Sequence, residues 1–419
     1  MTTADALSAP SSAGAVAFLG KESAYWRLRI KGAALLVLTL GLYRFWFATD
    51  VRRFLWSSTE IGGETLEYTG LATELFGGFM LALAILVPLY TAFAIAALEF
   101  SPHPLISAAL GLMLLALGAE FALYRARRYR LTRTVFRGLR FDQHGSAWRY
   151  ALYALAWWVL AALTLGLAYP WAQASLQRFK MRHTCYGDLP GSFAGSGLDL
   201  FLRGAPIWLV IVGPVVLAFV ALGAMVDWDA LNGMMADGEN PFTVLAGSAG
   251  IRVFFVATAA LGTSVVAAVL LYPLFQAVTL RWWISGLRFG ELTVTSRLRA
   301  TQVYRVYLRF ILYILLLMLV TLAGAAACLF AVTMLAGPRH DSALAEMLAT
   351  AITVGLYVVI ALGASTVHQV VVSFALWRLG ARSAELSGAG ALDGVRASGG
   401  PSSALGEGLA DALGVGGFA

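Results

Sequence analysis

Eight apolar runs, joined by connections that are either rich in arginine or nearly free of it, constrain this chain more than any motif. They lie roughly at Ile30–Phe47, Leu75–Leu98, Leu105–Leu123, Tyr150–Tyr169, Ile207–Met225, Val253–Val278, Phe310–Ala336 and Leu348–Leu376. A helix needs about 20 apolar residues to cross the ~30 Å hydrocarbon core, since each residue advances it only about 1.5 Å. Six runs meet that length. Ile30–Phe47 is short, and Tyr150–Tyr169 is interrupted at Gly166 and followed by Pro170. Composition agrees: 13% of the 419 residues are charged, against about 25% in soluble domains, and mean hydropathy is +0.76. The expected fold class is mainly α, a polytopic helical membrane protein.

Arginine orders the topology. The flank before the first run carries Lys21, Arg27, Arg29 and Lys31, and the connection after it carries Arg44, Arg52 and Arg53. Eight more cations lie from Arg125 to Arg149, four from Arg178 to Arg203, six from Arg281 to Arg309, and three from Arg378 to Arg396. The connections near Pro102, Asp227–Arg252 and Pro338–Glu346 hold none, one and one. Cationic connections face the cytoplasm. Eight crossings would put cationic connections on both sides. If Ile30–Phe47 and Tyr150–Tyr169 instead break and return, six crossings remain and every cationic connection, with both termini, is cytoplasmic. Eight ordinary helices with a weak charge bias are the alternative. Both exceptional runs carry Leu-Thr-Leu-Gly-Leu, at Leu38–Leu42 and Leu163–Leu167.

That shared pentapeptide belongs to an internal repeat. Leu40, Trp46, Arg53, Phe54 and Gly62 match Leu165, Trp171, Arg178, Phe179 and Gly187 at a constant 125 positions. Tyr169, Pro170, Gln173, Arg178 and Gly187 match Tyr272, Pro273, Gln276, Arg281 and Gly290 at 103. A partial copy starts at Arg128-Tyr129. Repetition of this kind means one supersecondary unit used several times. The expected organisation is a disordered leader (1–20), repeats at 21–125, 126–279 and, partial, 280–386, and a flexible Gly/Ala/Ser-rich tail (387–419). In the tail, Leu405, Leu409 and Leu413 share one face of any short helix, which leaves a docking peptide as the alternative to a frayed end.

After each Arg-aromatic pair comes a short alternating stretch around Gly62-Gly63, Arg137-Gly138 or Gly290-Glu291, a β-hairpin signal. The second copy is weaker, since Pro190 confines it to an edge or a loop. Lone hairpins are marginal in water, so they are expected to gather into one small cytoplasmic sheet. Arg53, Arg128, Arg178 and Arg281 then sit at the membrane boundary. They read as interfacial anchors, or as a lipid-headgroup site built from equivalent positions.

Chemistry is sparse. The histidines His103, His144, His183, His340 and His368 show no ligand spacing, Cys185 and Cys328 are far apart, and no nucleotide-binding loop or nucleophile elbow is present. No metal, cofactor or nucleic acid is expected; membrane lipids are the expected partners. Glu99, Glu120 and His368 are the intramembrane polar candidates. A transporter needs several such groups converging near mid-depth. A lipid-modifying enzyme needs His144 or His183 to meet an acid in a cleft.

Tyr25-Trp26-Arg27, Leu38–Tyr43, Trp46, and Arg52-Arg53-Phe54 leading to Thr59 and Gly62 resemble the YjgN family of bacterial inner-membrane proteins, which carry a domain of unknown function. So do Leu163–Leu167, Tyr169-Pro170-Trp171, Tyr129–Thr134 and Gly406–Asp411. Departures are Arg44-Phe45, where the family has Ser-Pro or Tyr-Pro, and a neutral Gly-rich end. The resemblance implies an inner-membrane location and no established activity. The readings are a non-enzymatic scaffold or lipid/small-solute handling protein, a secondary transporter or channel, and third a membrane-embedded enzyme.

Overall fold

Strands scattered along the whole chain pair with their neighbours in sequence order, and helical hairpins fill the intervals between them. The computed structural model describes residues 16–100, 104–225, 248–336, 342–398, 400 and 402–415. Strands β1 (Val16–Phe18), β2 (Thr59–Ile61) and β3 (Glu64–Thr65) form one antiparallel sheet. Around Leu66 the chain passes into β4 (Glu67–Tyr68), the edge of a second sheet. That sheet continues antiparallel through β5 (Thr134–Phe136), β6 (Leu139–Gln143), β7 (Thr184–Tyr186), β8 (Leu189–Phe193), β9 (Leu287–Phe289), β10 (Leu292–Ser296) and β11 (Ala384–Ser387). At the two ends, Arg382 Nη2 donates to Phe18 O at 3.3 Å, tying the approach to β11 to β1.

Tight turns and helical hairpins alternate along this meander. The turns carry the expected positive-φ residues: Gly62 and Gly63, Arg137 and Gly138, Gly187, and Gly290. Helices α1 (Glu22–Leu38) and α2 (Arg44–Ser57) link β1 to β2. Helices α3 (Ala72–Phe100) and α4 (Pro104–Thr132) link β4 to β5. Helices α5 (Ala147–Leu163) and α6 (Tyr169–Arg182) link β6 to β7, and α7 (Gly197–Met225) and α8 (Ser248–Gly286) link β8 to β9. Between β10 and β11 lie α9 (Ala300–Ala336), α10 (Ser342–Val367), a π turn at His368–Ser373, and α11 (Phe374–Ser383).

This connectivity decides the crossing number. Among the described residues six helices are long and apolar enough to span: α3, α4, α7, α8, α9, and the continuous stretch Glu346–Ser383. Their large side chains point outward, as at Leu312 (63% exposed) and Leu319 (67%), an arrangement that only lipid satisfies. The α1–α2 and α5–α6 hairpins leave the sheet and rejoin it at the neighbouring strand. A crossing in either would put β2 across the bilayer from β1, or β7 from β6, to which each is hydrogen-bonded. Eight crossings are therefore incompatible with the sheet.

The two short hairpins reverse in the same way. Leu40 and Gly41 have φ of +49° and +90°, and Leu165 and Gly166 have +49° and +87°. Thr39 Oγ1 donates to Leu35 O (2.7 Å) and accepts from Tyr43 N (3.0 Å). Thr164 Oγ1 likewise donates to Leu160 O (2.8 Å) and accepts from Ala168 N (3.1 Å). Gly41 N and Gly166 N each close back on the helix at 2.7 Å, to Leu36 O and Ala161 O. The threonine takes up backbone groups left open at the helix end, and glycine tolerates the left-handed backbone. The third copy has no such turn: Pro273 lies inside α8, which runs unbroken for 39 residues.

Three segments differ from expectation. Val16–Phe18, within the stretch read as a leader, is strand β1; residues 1–15 lie outside the described residues. Pro190 is in an interior strand. The Tyr186–Leu189 pair closes the two-residue turn, so Cys185–Pro190 is the next, non-hydrogen-bonded kind of pair with β7. On the β9 side the ladder ends at Gly191–Phe289, where Pro190 uses only its carbonyl, accepting from Gly290 N at 3.2 Å. The segment read as a flexible tail carries helix α12 (Leu405–Ala412), packed against α3 and α4.

Candidate functional site

The sheet ends of α7 and α8 frame a cationic cleft of about 480 Å³. Arg203 comes from α7, Arg281 from α8, and Arg288 from β9. Its polar wall adds Ser196, Asp199, Ser285 and Ser296. Arg203 Nη2 bonds Asp199 Oδ1 at 2.9 Å, one helical turn away. No ion pair involves Arg281 or Arg288 among the described residues. Three guanidiniums against one carboxylate leave the cleft with a net positive charge. An apolar neck of about 310 Å³, lined by Ala277, Val278, Leu298 and Ala300, opens beside Arg203 and Arg281. The frame is rigid: Trp282 Nε1 donates to Ser196 O (3.0 Å), and Ser296 N donates to Ser285 Oγ (3.1 Å). Such a site can bind an oxyanion through paired N–H donors.

The other three expected arginines do not join it. Arg53 and Arg178 are exposed, and each donates through Nη2 to a carbonyl just past a strand end, Gly70 O and Gly195 O, both at 3.2 Å. They clamp equivalent strand-to-helix corners. Arg128 is partly buried on α4, with no partner for its Nε.

The intramembrane polar candidates also stay apart. The side chain of Glu99 lies outside the described residues. Glu120 accepts from Trp158 Nε1, on α5, at 2.7 Å. His368 is exposed at the π turn, edge-on to Phe310 with ring centroids 5.6 Å apart.

Histidine and acid do meet at one place. His144 Nε2 lies 3.6 Å from Asp142 Oδ2, with His144 56% exposed, and Cys185 faces Asp142 across the β6–β7 ladder. Asp142 is buried in β6, an interior strand, while His144 lies just past its end and faces solvent. Asp142 Oδ1 already accepts from Gln143 N at 2.6 Å, and His183 Nδ1 is 2.8 Å from Phe179 O. Burial, then Asp142, pushes the Cys185 thiol up, which keeps it protonated and weakly nucleophilic. Among the described residues no group of His, Cys, Asp and Glu has metal-site geometry.

Two clusters escaped the sequence reading. Arg127 donates to Gln143 Oε1 (2.8 Å) and Thr184 Oγ1 (2.9 Å) beneath β6 and β7, with Lys180 over the Tyr150 ring at 5.4 Å. Arg52, 1% exposed, pairs with Glu407, 6% exposed, on the tail helix. The shared face of Leu405, Leu409 and Leu413 and the resemblance of Gly406–Asp411 to a family pattern pointed at that segment, but not at Arg52 as its partner.

A family model for bacterial proteins of unknown function, DUF898, matches residues 13–412. The chain belongs to that family. The resemblance to YjgN proteins is consistent with DUF898. No curated protein and no solved structure matches the chain. DUF898 brings no assigned activity, so the cleft must be read from its own chemistry.

Proposed function

We propose that this protein is a non-enzymatic inner-membrane scaffold that holds the phosphate of an anionic lipid in the Arg203–Arg281–Arg288 cleft. The carrying observation is the pair Arg281 and Arg288, two guanidiniums with no carboxylate partner among the described residues, set beside an apolar neck at the sheet end of spanning helices. A headgroup phosphate matches the donors, and acyl carbons match Ala277, Val278 and Leu298. The arginine bias supports a cytoplasmic sheet, with both termini on that side, where anionic headgroups raise the local demand for cations. The repeats support one ancestral unit of helical hairpin plus β-hairpin, used for mechanical framing in most copies and for binding at the α7–α8 copy.

The transporter reading is less well supported, because Glu120 and His368 lie on separate surfaces with separate partners. An enzymatic reading would rest on His144 and Asp142, where the imidazole is 56% exposed and Asp142 is already engaged by Gln143 N.

Native mass spectrometry of protein taken from nanodiscs of mixed phosphatidylglycerol and phosphatidylcholine tests the proposal. Retained anionic lipid should fall at least tenfold in Arg281→Gln/Arg288→Gln, while retained phosphatidylcholine stays constant. Equal retention of anionic lipid by that variant refutes the assignment.

A further inference from the structure

Past β11 the chain does not fray; it straps the sheet and then enters the membrane-proximal helices. Arg137 holds Asp393 at 3.0 Å, Arg396 N donates to Asp188 Oδ1 at 2.9 Å, and Asp188 N donates back to Arg396 O at 3.0 Å. Ser402 Oγ then reaches Thr132 Oγ1 at 2.9 Å, at the end of α4. From there α12 lies between α3 and α4, which touch each other little and are bridged by it.

The fit is steric and electrostatic together. Gly408 sits against the Gly78 backbone so closely that a Cβ would come within 2.0 Å of Gly78 C. Two residues back, on the side facing α4, a Cβ at Gly406 would come within 2.3 Å of Arg125 Cβ. Leu409 and Leu413 pack on Ala122 and Ala126. Glu407 faces Arg52 and, at 3.8 Å, Arg130, while Asp411 pairs with Arg44. Three cations from α2 and α4 thus receive two carboxylates from a helix whose glycines allow backbone-close approach.

α12 is eight residues long and contains two glycines. A helix that short and glycine-rich does not hold its shape alone in water, so its conformation comes from the groove, as a bound peptide's does. The stretch leading into it, Gly394 to Ala404, is rich in Gly and Ser and becomes a flexible tether once its bonds at Arg396 and Ser402 release.

We propose that the α3–α4 groove is a recognition site for an acidic helix with small residues on its buried face. In this structure α12 occupies it in cis as a detachable ligand. Release of α12 uncovers Arg44, Arg52 and Arg130 for the same kind of helix supplied in trans. The cleft at Arg281 is not involved, so this site and the lipid site stand or fall separately.

The test uses the full chain with a protease site placed at Ser402–Ser403, cut after folding in detergent, and a fluorescent peptide of residues 400–419. The uncut chain should bind the peptide at least a hundredfold more weakly than the cut chain, because the tethered helix competes at millimolar effective concentration. Peptide with Glu407→Gln should bind the cut chain at least tenfold more weakly, and Gly408→Leu should not bind measurably. Equal binding of all three peptides overturns the proposal. So does a cut chain that never exchanges its tail, or one that loses its helical circular dichroism on cutting, since α12 would then be a fixed structural element.

Discussion

Arg52 and Glu407 stand 355 residues apart in sequence and face each other in a buried ion pair. Arg52 also donates to Tyr68 Oη at 3.1 Å, so one guanidinium joins α2, the end of β4 and the tail helix. Ions taken out of water must be matched, and removing one partner leaves a charge with neither water nor counterion.

Glu407→Ala should therefore destabilise the fold by about 3–5 kcal/mol, the cost of breaking a buried pair from one side. The double variant Arg52→Met/Glu407→Leu should recover most of that loss, because the uncompensated charge is gone. Thermal unfolding in nanodiscs, followed by tryptophan fluorescence, measures both. A double variant as unstable as the sum of its parts would contradict this account of the pair.

The reversals at Leu40 and Leu165 put leucine at φ of +49°. A left-handed backbone costs a side-chain-bearing residue about 1–2 kcal/mol, part of which glycine gives back through its freer unfolded chain. Leu165→Gly should stabilise the protein by up to about 1 kcal/mol. Gly166→Ala, forced to φ near +87°, should destabilise it by about 1–2 kcal/mol. Equilibrium unfolding in mixed micelles gives both signs; a stabilising Gly166→Ala would mean the turn relaxes freely.

Lys180 gives a pH dependence. Burial, then Arg127, pulls its ammonium down to about 8 from the ordinary 10.5 of lysine, while Glu120 pulls the other way. The folded state thus holds this proton less tightly than the unfolded chain. Between pH 8 and 10.5 the unfolded state binds more protons, so stability should rise with pH across that window. Below pH 8 the full burial penalty applies. Lys180→Met should raise the melting temperature at pH 7 and flatten the alkaline rise. A wild-type melting temperature that falls steadily from pH 8 to 10, with the same fall in Lys180→Met, would remove Lys180 from the account.

The spanning helices were legible because lipid imposes a length and a polarity on every crossing. The two reversals were legible too, through Leu-Thr-Leu-Gly-Leu and the arginine count, since left-handed turns need glycine and cations prefer one face. The β-turns at Gly62-Gly63, Arg137-Gly138 and Gly290 showed themselves the same way. Strand β1 was not legible: three residues, Val16–Phe18, carry too little alternation to register. The tail was legible only as an alternative, through Leu405, Leu409 and Leu413, because its helix depends on distant Arg44, Arg52 and Arg130 rather than on its own propensity. The cleft lay half in view, through Arg281. Arg203 and Arg288 join it only because β8, β9, α7 and α8 converge, and no local pattern encodes that.

Cysteine accessibility tests the architecture most directly. Ser57, Ser146 and Ser192 are exposed on the sheet side, next to α2, α5 and β8. Ser192 serves better than its neighbour Gly191, where a Cβ would come within 2.8 Å of Thr184 O. In a background with Cys185 and Cys328 replaced, all three single cysteines should react with a membrane-impermeant maleimide only in inverted vesicles. Labelling of Ser57→Cys or Ser146→Cys in intact spheroplasts would put the sheet on both faces of the membrane and contradict six crossings.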